Sequence, residues 1–242
     1  MSQDKPKFFG RRKGRTIRKA KSFLLDCFLP SIRILPGQKI ELSKCFAEPK
    51  KGYALEIGFG DGEHLAALSQ NMPDYGFIGV EVYQNGVANL LSLMTGIKEG
   101  NVQDLQQTPQ LLPQRSDNVR VYDDDVRLLF DSLPDAVFDK VYLLFPDPWP
   151  KTKHAGRRFI NPENLKFLAR VIKKGGLLQV ATDHPVYKRW TLETMRNNTD
   201  FIWTAQTSND WRYPPKDWHE TKYQRKAIKE GRRPVFFEFR RV

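Results

Sequence analysis

Between Leu55 and Gly62 the chain reads Leu-Glu-Ile-Gly-Phe-Gly-Asp-Gly, and Glu81 follows 19 residues after Gly62. Glycines at a strand-to-helix turn let the backbone approach a ligand closely, and a carboxylate ending the next strand takes ribose hydroxyls. The spacing is G-x-G-x-G, carried by Gly58, Gly60 and Gly62, rather than the G-x-G-x-x-G of dinucleotide folds, and Glu56 precedes its first glycine. A carboxylate there repels a pyrophosphate and attracts a cofactor with an amino group and a sulfonium. These residues therefore point to S-adenosylmethionine. The plainer alternative is a Gly-rich connection with two incidental acids.

Further along, Val141–Phe145 runs into Pro146-Asp147-Pro148-Trp149-Pro150. Prolines on both sides restrict the backbone, so Asp147 is held at a strand's carboxyl end, where such sheets bind ligands. Trp149 offers a stacking surface for a base, or alternatively a core side chain in a Pro-rich turn. Lys151, Lys153, His154, Arg157 and Arg158 follow at once, and cations beside such a site suit a phosphate backbone. A solvated charged face is the alternative. Asp123-Asp124-Asp125 could supply an adenine contact, or an acidic turn in which Asp125 caps the next helix. His64, His184 and His219 lack metal-ligand spacing, so no metal is expected; His154 is the histidine best placed to touch RNA.

The elements that must carry these residues alternate. Strands are expected at 53–58, 76–82, 118–122, 140–145 and 177–182, with a closing pair at 201–205 and 235–240. Helices are expected at 62–70, 84–97, 126–133, 185–197, and from an Asn161 cap to about Lys173, ended by Gly175-Gly176. That order argues for an α/β fold, a mostly parallel, doubly wound sheet with helices on both faces. Residues 1–14 read as a mobile basic arm, and an amphipathic helix begins near Thr16 and stops at Pro30. This divides the chain into an arm and helix over 1–30 and a main domain over 31–242.

The charge is partitioned along this plan. The 242 residues carry 40 Lys+Arg against 28 Asp+Glu, a formal net charge of +12, which favours a polyanionic partner. Residues 1–22 hold nine basic residues and one acid, residues 151–174 eight and one, and residues 212–241 ten and four. Residues 52–139 reverse the sign, with fourteen acids and four basic residues. No apolar run nears the ~18 residues of a membrane span, and two cysteines make neither a disulfide framework nor a CxxC pair. A reducing, cytoplasmic setting is expected, although the Arg-rich arm also has a transit-peptide composition.

Leu55–Gly62, Ile78–Val82, Phe145–Arg158, Ala181–Tyr187 and Thr221–Lys226 together resemble the bacterial tRNA (guanine-N7-)-methyltransferases. The resemblance spans roughly residues 53–240, with the Phe-Pro-Asp-Pro-Trp-Pro-Lys…His…Arg-Arg block most specific. It implies a class I methyltransferase fold with a seven-stranded sheet, S-adenosylmethionine as donor, and the variable-loop guanine of tRNA (position 46) as acceptor. By motif position it makes Glu56, Glu81, Asp125 and Asp147 cofactor-contacting, beside Gly58 and Gly60 of the glycine turn, with Asp147 also catalytic. It makes Lys151, Asp183 and Thr221 substrate-contacting, and Lys153, His154, Arg157 and Arg158 part of an RNA-contacting loop; Gln224 is a further substrate-binding candidate, although it departs from the family pattern.

One departure bears on specificity. The family pattern Thr-Lys-x-Glu reads Thr221-Lys222-Tyr223-Gln224 here, and an amide offers one acceptor oxygen where a carboxylate offers two. The competing readings are a methyltransferase for another RNA base nitrogen and a non-catalytic RNA-binding module on the same fold. A nicotinamide dehydrogenase is disfavoured by the glycine spacing. A monomer or a homodimer is compatible with the sequence.

Overall fold

The computed structural model describes residues 7–98 and 117–242; the first six residues of the basic arm lie outside this range. Seven strands are ordered β3-β2-β1-β4-β5-β7-β6 in one sheet: β1 Gly52–Ile57, β2 Tyr75–Val80, β3 Val119–Tyr122, β4 Phe138–Leu144, β5 Ile172–Thr182, β6 Phe201–Trp203 and β7 Val235–Arg241. By packing, the chain divides into two units, Met1–Lys51 with Gly58–Ser132, and Gly52–Ile57 with Leu133–Val242.

In the first unit β2 pairs with β3 in parallel, Phe77 opposite Val119 and Val80 opposite Tyr122. Helix α3 (Glu63–Asn71) packs on β2, and α4 (Gln84–Thr95) packs on both α3 and α1 (Lys19–Cys27). Leu65, Leu68, Phe77, Ile78, Leu90, Leu91 and Met94 are buried, the apolar positions that the helix and strand periods bring together. Pro30 does not end the N-terminal helical stretch. It occupies the first turn of α2 (Leu29–Ile32), where a missing N–H costs no helical hydrogen bond. The helix expected at 126–133 shortens to a 3₁₀ turn, Val126–Leu129. Ile40 N–H donates to the Ser132 carbonyl and Gly37 N–H to its hydroxyl, anchoring the chain just beyond that turn.

In the second unit β4 lies between β1 and β5, all parallel, and β7 pairs antiparallel with β5 and carries β6 at its edge. Helix α5 (Pro162–Val171) opens as expected: Asn161 Oδ1 accepts from Asn164 N–H at 2.9 Å, with Pro162 in the first turn. It does not run to the glycine pair. Ala136 and Val137 N–H groups take the Arg170 and Val171 carbonyls, which draws the chain straight into β5 at Ile172. Gly175 and Gly176 instead sit in an irregularity within β5, where the register jumps from Phe138–Ile172 to Lys140–Leu177. Helix α6 (Pro185–Arg196) follows β5, and α7 (Asn209–Arg212) packs on β7 ahead of α8 (Lys222–Lys229). Leu55, Phe138, Val141, Leu168, Tyr187, Phe237 and Phe239 fill this unit's core.

Candidate active site

The glycine turn of the first unit is built for close approach. Gly58, Gly60 and Gly62 have φ of 70°, 57° and 77°, values that side chains with a Cβ rarely adopt. A Cβ added at Gly58 would meet no atom within 4 Å, whereas one at Gly62 would lie 2.6 Å from Leu90 Cβ on α4. One glycine thus leaves room beside the backbone, and the other lets two helices touch. Glu81 is buried at the end of β2 and spans the turn: Oε2 accepts from Gly60 N–H at 2.7 Å and Oε1 from Tyr83 N–H at 2.8 Å.

The three aspartates after β3 are each matched to an arginine. Asp123 takes a two-pronged contact from Arg33 at 2.6 and 2.9 Å, and Asp124 pairs with Arg12 at 2.7 Å. Asp125 caps the 3₁₀ turn through Arg127 N–H and receives both Nε and Nη2 of Arg127. The Asp125 carboxylate thus caps the turn and anchors Arg127, the second of the two readings that the sequence leaves open. The basic arm is part of the same surroundings. Gln84 N–H donates to the Arg12 carbonyl, Asn85 bridges Gly14 N–H and the Arg15 carbonyl, and Arg127 reaches the Lys7 carbonyl. The described part of the arm, read from sequence as mobile, is docked on the start of α4.

In the second unit Glu56 is buried on β1, opposite Tyr142 of β4. Where β4 ends, Phe145 and Trp149 hold positive φ of 50° and 42°, an unusual conformation for non-glycine residues that brackets Asp147. The Asp147 side chain reaches solvent, yet loss of water around it pushes its carboxyl above the usual aspartate range. Arg158 fixes this loop. It is 5% exposed, donates to the Pro148 and Trp149 carbonyls at 3.2 and 2.9 Å, and stacks on Trp190 at 4.6 Å. The sequence grouped Arg158 with the phosphate-binding cations; it is instead the brace that holds the Pro-rich segment.

Its neighbours do face outward. Lys151 and Lys153 are exposed at the 3₁₀ segment Thr152–Arg157, and the Arg157 guanidinium lies 4.9 Å over the Trp149 ring. His154 meets Trp149 edge-on at 5.8 Å, and desolvation with the Arg157 and Lys151 charges lowers its pKa. His184 Nδ1 accepts from Val186 N–H as the cap of α6, a structural role as expected. No group of three metal-ligating side chains occurs among the described residues.

Beyond β5, Asp183 is bonded by Arg232 Nε at 2.5 Å, a partner 49 residues away that the sequence did not signal. Thr221 is buried and its hydroxyl caps α8 by accepting from Gln224 N–H at 3.1 Å. Gln224 is buried as well, and its Oε1 accepts from Trp218 Nε1 at 2.6 Å.

A family model described as "Putative methyltransferase" matches residues 50–236. The chain is 43% identical to a tRNA (guanine-N(7)-)-methyltransferase of Paramagnetospirillum magneticum, covering 98% of this chain and 94% of that protein. It is 41% identical to one of Rhodospirillum rubrum, with 97% and 88% covered. The fold is similar to the solved 16S rRNA methyltransferase KamB, with a TM-score of 0.53 at 14% identity over 80% of this chain and 89% of that one. No helix among the described residues is long and apolar enough to cross a membrane.

Proposed function

The chain belongs to the tRNA (guanine-N(7)-)-methyltransferase family, and on that premise we propose that it methylates N7 of a variable-loop guanine in tRNA. The observation that carries this reading is likeness to relatives of that name over nearly the whole chain. S-adenosylmethionine, when bound, supplies a methyl group on a positively charged sulfur.

The residues present fit that donor. Gly58 gives the backbone room for it, and Glu81, already oriented by two backbone N–H groups, accepts from ribose hydroxyls. Glu56 offers its buried carboxylate to the methionine ammonium, and a negative environment also suits the sulfonium. Guanine N7 carries an in-plane lone pair, so no base need remove a proton first. With the donor held by these residues, N7 would take the methyl group directly from it, leaving the purine ring positively charged. Asp147 orients the base and offsets that charge, from a loop held rigid by Arg158 and two constrained backbone positions. Lys151, Lys153, His154 and Arg157 grip phosphates next to the base, while Asp183 and Thr221 approach the guanine. The basic arm and the C-terminal segment extend the contact along the tRNA, work suited to the cytoplasm.

Asp147→Ala tests the assignment. Methyl transfer should be lost while filter retention of tRNA stays near wild type; loss of both together would make Asp147 structural and remove it from the chemistry.

A further inference from the structure

Trp218 and Gln224 form a polar pair on the sheet face that also bears Glu56. Leu144, Ala181 and Phe236 are in register across β4, β5 and β7, one pleat beyond Tyr142, Gln179 and Glu238. Glu56 stands opposite Tyr142, so these side chains share a face. The segment before α8 covers that face: Trp218 packs edge-on against Phe236 at 4.9 Å, and Asp217 lies 3.7 Å from Lys140 Nζ. The far end of α8 is tied to the same carboxyl edge through the Arg232–Asp183 contact.

The chemistry of this pair decides what Gln224 can offer. An indole N–H only donates, so the Gln224 atom 2.6 Å from Trp218 Nε1 has to be the carbonyl oxygen. The side chain is buried and its backbone N–H is held by Thr221, which leaves little freedom to turn the amide over. Its carbonyl oxygen is therefore turned towards the indole, and the NH₂ points the other way as the group it can present. Among the described residues no acceptor takes a hydrogen bond from that nitrogen. Guanine has one acceptor beside N7, the O6 oxygen; its N1–H and N2–H₂ are donors, which suit a carboxylate instead.

We propose that Gln224 determines base specificity by donating its amide hydrogen to guanine O6, and that Trp218 is the positioning residue that keeps the amide in this orientation. The inference rests on the guanine-methylation reading and refines it at one contact. A Glu at this position would read the N1–N2 edge, so the chain should differ from a Glu-bearing relative in its tolerance of base analogues.

The experiment compares kcat/KM on three ligated tRNAs carrying guanosine, inosine or 2,6-diaminopurine riboside at the target position. Inosine keeps O6 and N1–H and loses the N2 amino group, whereas diaminopurine replaces O6 with a donor and N1–H with an acceptor. Wild type should treat inosine within about threefold of guanosine and reject diaminopurine by about 100-fold, the scale of an opposed buried donor. Gln224→Glu should lower the inosine-to-guanosine ratio by about tenfold or more, and Trp218→Phe should lower that ratio and raise the diaminopurine-to-guanosine ratio, because a freed amide can turn its carbonyl towards the base. Rejection of inosine with tolerance of diaminopurine, or equal loss on both, overturns the inference while leaving guanine methylation standing. No transfer to the guanosine tRNA overturns the underlying reading and the inference together. The wild-type comparison decides the question even if a variant fails to fold.

Discussion

Gly58 and Gly62 share a left-handed backbone but differ in what stands beside them, and that difference separates a ligand-binding role from a packing role. Alanine at either position pays the left-handed penalty of about 1–2 kcal/mol. At Gly58 nothing more is expected, because the added Cβ meets no atom within 4 Å. At Gly62 the Cβ comes 2.6 Å from Leu90 Cβ and 3.0 Å from its Cα, and a helix backbone cannot yield as a side-chain tip can. Overpacking adds about 1–3 kcal/mol, for about 2–5 kcal/mol in all. With a melting shift of about 2–4 °C per kcal/mol in a domain of this size, Gly58→Ala should lower Tm by about 2–8 °C and Gly62→Ala by about 4–20 °C. Calorimetric titration with S-adenosylmethionine should show the reverse order for the folded proteins. Gly58→Ala should weaken binding at least about tenfold, since its methyl fills the space the ligand backbone contact needs. An unchanged Kd in Gly58→Ala would refute the cradle, and equal melting losses in the two variants would refute the packing argument.

Arg158→Ala loses two hydrogen bonds to carbonyls and the stack on Trp190, so denaturant unfolding should show a loss of about 2–4 kcal/mol. Lys153→Ala should leave unfolding unchanged and reduce the salt slope of tRNA binding by about 1; the opposite pattern would return Arg158 to the phosphate contacts. Desolvation raises the Asp147 carboxyl, and the ionised form is the active one, so single-turnover transfer should fall as pH is lowered through a pKa above the usual aspartate range. Asp147→Asn should lack that acidic limb in whatever activity remains; an identical limb in the variant would assign it to another group. Asp125→Ala should cost about 1–3 kcal/mol of stability through the lost cap and the stranded Arg127, with the cofactor Kd changed by less than tenfold. A larger loss of binding without loss of stability would restore a direct contact.

What the sequence disclosed was local or periodic. The strand–turn–helix around Gly58–Gly62, the Asn161 cap and the seven strands follow from patterns within a dozen residues. Residues whose partners lie far along the chain were misjudged or missed. Arg158 reads as one more cation in a basic run until the Pro148 and Trp149 carbonyls fold back onto it. Asp183 and Arg232 meet only because β7 returns beside β5, and each aspartate of the acidic triplet acquires an arginine from 2 to 112 residues away. The end of α5 was misplaced for the same reason: backbone N–H groups of Ala136 and Val137 stop it before Gly175-Gly176 can. The Gln224 departure was visible as a lost acceptor, but its consequence depends on Trp218, six residues earlier, which carries no sequence signal of its own.

The central claim is the identity of the methylated atom. Purified protein, S-adenosylmethionine and a tRNA with a variable-loop guanine should yield one methyl group per tRNA, with borohydride and aniline treatment cutting the chain at that nucleotide alone. The same tRNA with adenine at that position should stay unmodified and uncut. Methylation with no cleavage, or label in the adenine-bearing tRNA, would contradict transfer to guanine N7.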